Sequence, residues 1–339
     1  MVTNAAVFFV SLLAALAVTR QLIFYAHKSG MLDTPNARSS HTKPTPRGGG
    51  VGICVGLAAG LIVAQLAGAP MPPWQLLAAL AAVAALGYWD DRARGLPARL
   101  RMALQIACAA VVVWRLGPLE YLPLPEPLDV PLGLLAWPLT ITWIVAVLNL
   151  YNFLDGIDGF AGLQGAVAGL GFAVLPVPDE VRVLGLAAAG ACLGFLRWNW
   201  HPAKIFMGDV GSTMLGFLYA SAPLLLEPGR KSQGIIWSAL LLWFFLADGT
   251  FTILRRLSRG EKIWEAHRSH LYQRLVQTGL KHSQVSGRVG LLMMALGSTT
   301  VFLAWTGVSF GLTLALASGA MAFILYWAWV CAREKRVSG

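Results

Sequence analysis

The sequence predicts an all-α, polytopic integral membrane protein of about eleven transmembrane helices, with its functional residues gathered on the cytoplasmic face. Three observations predict it. Of 339 residues, 57% are hydrophobic and only 12% charged, where a soluble domain carries about 25% charge; mean hydropathy is +0.64. The apolar runs are long and unalternated, which selects helices over a closed barrel. The basic residues recur in alternate loops, as the positive-inside rule requires.

Taken in order, the spans fall near residues 4–25, 49–68, 74–89, 100–116, 134–151, 162–177, 181–197, 212–226, 234–254, 288–306 and 310–331, within one catalytic domain over 1–339. The cytoplasmic loops then lie near 26–48, 90–99, 152–161, 198–211 and 255–287. With Arg101, Arg197 and Arg288 at their edges and the C-terminal tail, they hold 21 of the 26 Lys and Arg residues. This orientation puts the N-terminus outside and the C-terminus in the cytoplasm. No basic residue precedes the first run, Ala5 to Ile23, so a retained first span is expected rather than a cleaved leader. The net charge of +10 does not signal nucleic acid, because its distribution follows topology. The four cysteines, Cys54, Cys108, Cys192 and Cys331, sit in or beside apolar runs without metal-binding spacing, and read as small buried hydrophobes.

The chain is organised around Asn149-Leu-Tyr-Asn152-Phe-Leu-Asp155-Gly-Ile-Asp158-Gly. A carboxylate at the centre of a bilayer helix costs about 2.5–3.5 kcal/mol, so two of them point to a helix leaving the membrane and facing a ligand. Three residues apart, Asp155 and Asp158 share a face if the segment is helical. The first inner loop ends in Lys43-Pro-Thr-Pro-Arg47-Gly-Gly-Gly, a proline- and glycine-fixed loop whose cations could meet phosphate. The second opens on Asp90-Asp91. Alone, that pair reads as helix-end solvation beside Arg92 and Arg94. The fourth holds Phe206-Met-Gly-Asp209-Val-Gly-Ser212, where Asp209 or Ser212 can cap the following helix. In the last loop His267 and His270 flank Arg268, and share a face if that segment is helical. Two imidazoles without a third ligand make a poor metal site; a pyrophosphate would suit them, as would anionic headgroups for an amphipathic helix.

Five aspartates thus fall at cytoplasmic helix ends, with basic and histidine-bearing loops on the same face. That constellation fits phosphoryl transfer, in which carboxylates hold Mg²⁺, cations neutralise phosphate oxygens and helix N-termini cradle the rest. A site at the membrane surface suggests one water-soluble and one lipid substrate.

The Asn149-x-x-Asn152-x-x-Asp155-Gly-Ile-Asp158-Gly stretch, the Phe206–Ser212 stretch and the Asp90-Asp91 pair together resemble the bacterial polyprenyl-phosphate N-acetylhexosamine-1-phosphate transferases. This superfamily includes the phospho-MurNAc-pentapeptide translocase. The resemblance runs from Asp33-x-Pro35-Asn36-x-Arg38-x-x-His41 to the His267 loop. It implies transfer of a sugar 1-phosphate from a UDP-N-acetylhexosamine to undecaprenyl phosphate with release of UMP, dependent on Mg²⁺ or Mn²⁺, in the bacterial inner membrane. By position, it makes Asp209 the principal metal ligand, supported by Asn152 and Asp91. Asp90 would sit by the lipid phosphate. Asn149, Asn152, Asp155 and Asp158 would shape the nucleotide and metal site. Phe206 would stack on uracil and Lys43 contact the nucleotide, with Arg47 nearby. His267, Arg268 and His270 would close over the sugar pyrophosphate. A homodimer is left open.

One departure bears on the sugar. The last loop reads His267-Arg-Ser-His270, where UDP-N-acetylglucosamine enzymes tend to have His-Ile-His-His. This looks more like the O-antigen and exopolysaccharide initiating branch, which can take 6-deoxy sugars. Two rivals are weaker. The CDP-alcohol phosphatidyltransferase motif fails at Gly162, which stands where that motif has arginine. An ion-coupled transporter would place its carboxylates at the bilayer midplane between inverted repeats, and no repeat is visible.

Overall fold

Helix formation follows the apolar runs closely. The structure, a computed structural model, describes residues 2–29, 31–34, 44–92, 96–122, 124, 130–262, 267–307 and 310–338. Its helices are α1 (Val2–Ser29), α2 (Gly50–Leu66), α3 (Trp74–Arg92), α4 (Ala98–Leu116), α5 (Ala136–Phe153), α6 (Phe160–Val174), α7 (Asp179–Asn199), α8 (Asp209–Ser221), α9 (Lys231–Leu241), α10 (Trp243–Ser258), α11 (Leu271–Gln277), α12 (His282–Thr306) and α13 (Gly311–Ser338). Two short strands, β1 (Leu32–Asp33) and β2 (Thr45–Pro46), pair antiparallel with Leu32 opposite Pro46. Lys43 lies outside the described residues, as do Pro35, Asn36, Arg38 and His41.

Each of the eleven expected spans falls on helix. Five described helices are long and apolar enough to cross a membrane, or six if α9 and α10 count as one. The span expected over 234–254 is built of this pair, and the chain bends by 81° between Leu241 and Trp243. Beyond the break α10 carries Asp248, Arg255 and Arg256, and the Asp248 carboxylate is committed to the start of α11. Large apolar side chains face outward along α1, α4 and α13, among them Leu13, Phe24, Met102, Ile106, Trp114 and Leu325. In water such a surface would aggregate; against lipid it is solvated. The chain is a multi-pass membrane protein.

α8 is the hub. Twelve of its thirteen residues are buried, and α2, α3, α5 and α6 surround it. Its start is gripped from α2: Gly50 N donates to Met207 O (2.8 Å) and Gly49 N to Phe206 O (2.9 Å). Contact there is backbone to backbone, since a Cβ on Gly50 would stand 2.3 Å from Gly211 N. Small residues permit this approach where lipid offers no hydrophobic drive for association. Gly50→Ala is therefore expected to destabilise the protein by about 1–3 kcal/mol, read as a lowered unfolding midpoint in detergent.

Candidate active site

Four segments that carry these carboxylates and amides meet at the same end of the bundle. α3 delivers Asp90 and Asp91, the α5 end Asn149 and Asn152, the α5–α6 loop Asp155 and Asp158, and the start of α8 Asp209. The 45–50 segment adds Arg47. Phe206 N donates to Pro46 O (2.8 Å), which lays β2 along the approach to α8 and sets the next side chain among the acids. Arg47 Nε stands 2.9 Å from Asp91 Oδ1, and its Nη2 2.8 Å from Asp209 Oδ1. The two carboxylates hold its guanidinium above the ordinary arginine range against the opposing effect of burial.

Asp91 is not a solvated helix end. Its side chain is 1% exposed. It accepts hydrogen bonds from Asp209 N (3.0 Å) and Val210 N (3.2 Å), so it caps α8 from 118 residues away. The expectation that Asp209 or Ser212 performs this capping is corrected: Gly208 occupies the cap position, with φ +75°, and makes no side-chain cap. A Cβ there would meet Asp91 Oδ2 at 2.5 Å, so glycine is required twice over, for its backbone and for space. Spared from capping, Asp209 points its carboxylate outward. The Asn152 amide donates to Asp209 Oδ1 (3.2 Å) and Ser212 Oγ (2.8 Å).

Asp209 separates two cavities. One, of about 280 Å³, is polar, and its wall includes Asp33, Arg47, Asp155, Asp158, Phe206 and Gln273. The other, of about 220 Å³, lies among α3, α4, α5 and α8. There Asp90, Arg101, Gln105 and Asn149 face apolar walls that include Leu86, Met102 and Phe153. Arg101 pairs with Asp90 and reaches Asp209 Oδ2 at 3.5 Å. Asn149 donates to Gln105 Oε1 (2.9 Å). So each oxygen of Asp209 has its own arginine, on its own side.

Asp155 and Asp158 do not share a helical face. The backbone between Leu154 and Gly159 is not helical, and the two carboxylates diverge. Burial pushes Asp155 up to about 7; Arg47 opposes this, while Asp209, Asp91 and Asp158 add to it. Asp158 turns the other way. Burial would raise it, but hydrogen bonds from His282 and His201 hold it below the usual carboxylate range. Of the last-loop residues, His267 and His270 precede α11 rather than lying on a helix, yet their rings approach to 4.8 Å. His270 is buried and its Nδ1 faces Asp248 Oδ1 (3.3 Å). Neither histidine, nor Arg268, lines the two cavities.

Arg101, Gln105, Asn199, Gln273, His201 and His282 join the site without having been singled out. Arg101 was hidden among orientation-setting basics. His201 lies five residues before the Phe206–Ser212 stretch. His282, between Lys281 and Ser283, carried no local signal.

Comparison with known proteins identifies the family. Residues 73–227 match glycosyl transferase family 4, a region running from α3 past α8. A probable undecaprenyl-phosphate N-acetylglucosaminyl 1-phosphate transferase of Bacillus subtilis is 32% identical over 287 residues, covering 83% of this chain and 80% of the relative. A decaprenyl-phosphate N-acetylglucosaminephosphotransferase of Mycobacterium tuberculosis is 32% identical over 80% of this chain and 78% of its own length. A phospho-N-acetylmuramoyl-pentapeptide-transferase of Picosynechococcus is 35% identical over 63% of this chain and 60% of its own. With the family match centred on the helices that build the site, and relatives this similar over most of their length, the chain belongs to glycosyl transferase family 4.

Proposed function

We propose that the protein transfers an N-acetylhexosamine 1-phosphate from a UDP-sugar to undecaprenyl phosphate, releasing UMP, at the cytoplasmic face of the bacterial inner membrane. In this reading it initiates O-antigen or related surface-polysaccharide synthesis, with its N-terminus outside and C-terminus inside. The observation that carries it is the pair of cavities meeting at Asp209, one polar and one amphipathic. A nucleotide sugar suits the first, and a phosphate on an apolar chain the second. The names of the relatives point to the same reaction class. The carboxylates crowd one end of the bundle, which disfavours a midplane transporter site.

The chemistry needs little covalent help. A lipid phosphate has its second pKa near about 6, so at neutral pH its oxygen is already a nucleophile. It attacks the sugar-bearing phosphorus of the donor; the bond to the UMP oxygen breaks, and UMP leaves as an anion. Arg101, with Asp90 beside it, holds the acceptor phosphate, and Arg47 the donor pyrophosphate, so the two meet at Asp209. Phe206 offers a face for uracil. His267, Arg268 and His270 stay as the candidates for the sugar end. Arg101→Gln is expected to raise the KM for undecaprenyl phosphate about tenfold, the cost of one charge-assisted contact, while leaving the KM for the donor within twofold. Steady-state kinetics with each substrate varied in turn checks this.

The donor set also fits a hard cation. Asp209 and Asp155 line the polar cavity with carboxylate oxygens and Asn152 stands beside them, buried Asp91 is committed to the α8 start and to Arg47 from behind, and Arg47 bridges two carboxylates as a cation would. Asp209, Asn152 and Asp155 would hold Mg²⁺ or Mn²⁺, which supplies charge neutralisation to the phosphates. Burial pushes Asp155 up to about 7. A proton must leave before it can support a cation, so metal affinity should fall about tenfold per pH unit below that point. Mg²⁺ titrations across pH test this, and Asp155→Asn should flatten the slope.

The reaction itself is tested with purified protein, undecaprenyl phosphate and Mg²⁺, offered a panel of UDP-N-acetylhexosamines including 6-deoxy sugars. A sugar-diphosphate lipid from one donor, with UMP released, supports the reading. Absence of product and of UDP-sugar binding would return the ion-coupled transporter. Exchanging residues 267–270 for His-Ile-His-His should redirect donor preference if that loop reads the sugar.

A further inference from the structure

Behind the polar cavity, three segments far apart in sequence bring two imidazoles onto one carboxylate. Asp158 comes from the α5–α6 loop, His201 from the turn after α7, and His282 is the first residue of α12. His201 Nδ1 lies 2.6 Å from Asp158 Oδ2, and His282 Nδ1 3.3 Å from Asp158 Oδ1. The ligand atoms all fall within 4.8 Å of one another. The His201 and His282 rings stand 5.3 Å apart. The carboxylate is fixed from behind by Ala203 N (3.2 Å), and α12 is tied to the same loop by Ser286 Oγ donating to Asp158 O (2.8 Å).

Protons alone do not satisfy this arrangement. His282 Nδ1 faces a donor, Asp158 N at 3.4 Å, and an acceptor, Asp158 Oδ1 at 3.3 Å. Unprotonated, its lone pair opposes that of the carboxylate. Protonated, it opposes the backbone N–H. A cation resolves the conflict, because it accepts from nitrogen and oxygen alike. Bonds of about 2.0–2.1 Å to His and carboxylate set ligand-to-ligand edges of roughly 3.3 Å in a tetrahedral site. The two imidazoles meet different oxygens of Asp158, His282 at 3.3 Å from Oδ1 and His201 at 2.6 Å from Oδ2, so a small turn of the carboxylate brings one oxygen to both nitrogens, and all the ligand atoms already lie within 4.8 Å.

We propose that Asp158, His201 and His282 form a second cation site, selective for a borderline divalent ion of the Zn²⁺ class and distinct from the all-oxygen centre at Asp209. Two imidazoles disfavour Mg²⁺, which prefers oxygen ligands, and favour zinc or its neighbours. Three protein ligands leave a fourth position open, and Asp158 and His282 line the polar cavity, so water or a donor oxygen can complete it. The ion would pin the start of α12 and the turn after α7 to the loop that carries Asp155.

The full chain, purified in detergent and stripped with chelator, is dialysed against micromolar Zn²⁺ or Co²⁺ in millimolar Mg²⁺. Bound metal is measured by elemental analysis, and Co²⁺ also by its visible spectrum. One equivalent of Zn²⁺ per chain should resist Mg²⁺, with Co²⁺ giving the intense visible bands of a low-coordinate nitrogen-ligated site. His201→Gln and His282→Gln should each weaken binding at least about tenfold, while Asp209→Asn retains the equivalent. No equivalent in the wild-type chain, or only the weak spectrum of an all-oxygen site, overturns the proposal whatever the variants do. Undiminished binding in the folded His201→Gln/His282→Gln double variant overturns it too, and places the metal elsewhere.

Discussion

Asp209→Asn is expected to abolish sugar-phosphate transfer at ordinary Mg²⁺, by about 10³-fold or more, with the fold intact. Removing one preorganised electrostatic group from a transition state already costs about 10²–10³-fold, and this carboxylate serves several partners at once. It meets Arg47 at 2.8 Å on one oxygen and Arg101 at 3.5 Å on the other. Asparagine keeps the shape and one acceptor oxygen, so the Asn152 contact and the α8 start survive. It cannot balance two arginines, and it is a poor ligand for a hard cation. UMP release by variant and wild type, with thermal unfolding measured alongside, checks both halves. Turnover close to wild type would remove Asp209 from the reacting centre.

Asp91→Ala is expected to lower stability and activity together. The lost cap costs about 1 kcal/mol, and the lost bonds to a charged partner about 1.5–3 kcal/mol more. The sum, roughly 3 kcal/mol, should appear as a fall of several degrees in the unfolding midpoint in detergent. Asp91→Asn separates the two roles. It keeps an oxygen for Asp209 N or Val210 N, so most of the midpoint should return, while the Arg47 pairing and the activity stay impaired. If alanine leaves the midpoint unchanged, the start of α8 is held by the Gly50 and Gly211 contact without help from α3.

Much of this was legible in the chain. Apolar runs located the helices, because in lipid a backbone has almost no other way to satisfy its hydrogen bonds. Asn152, Asp155 and Asp209 stood out because polar groups at such positions are costly without a use. What failed did so for identifiable reasons. Asp155 and Asp158 would share a face only on a helix, but the chain there is a loop, and spacing rules do not survive loss of the helix. Asp90-Asp91 looked like solvated helix ends because nothing local reveals a partner on α8. The bend between α9 and α10 has no proline to announce it. Arg101, His201 and His282 needed the tertiary fold, since each acts on a residue more than ten positions away.

The Asp91 cap also sets a timetable for biosynthesis. Asp91 is translated 118 residues before the amide it receives. At roughly 5–20 residues per second, Asp91 waits on the order of ten seconds for the backbone amides it will receive. During that interval the nascent chain can pair Asp91 with Arg47, already made, but it holds no α8 to cap and no Asp209 to share that arginine. Completion of the site is therefore tied to the synthesis of α8.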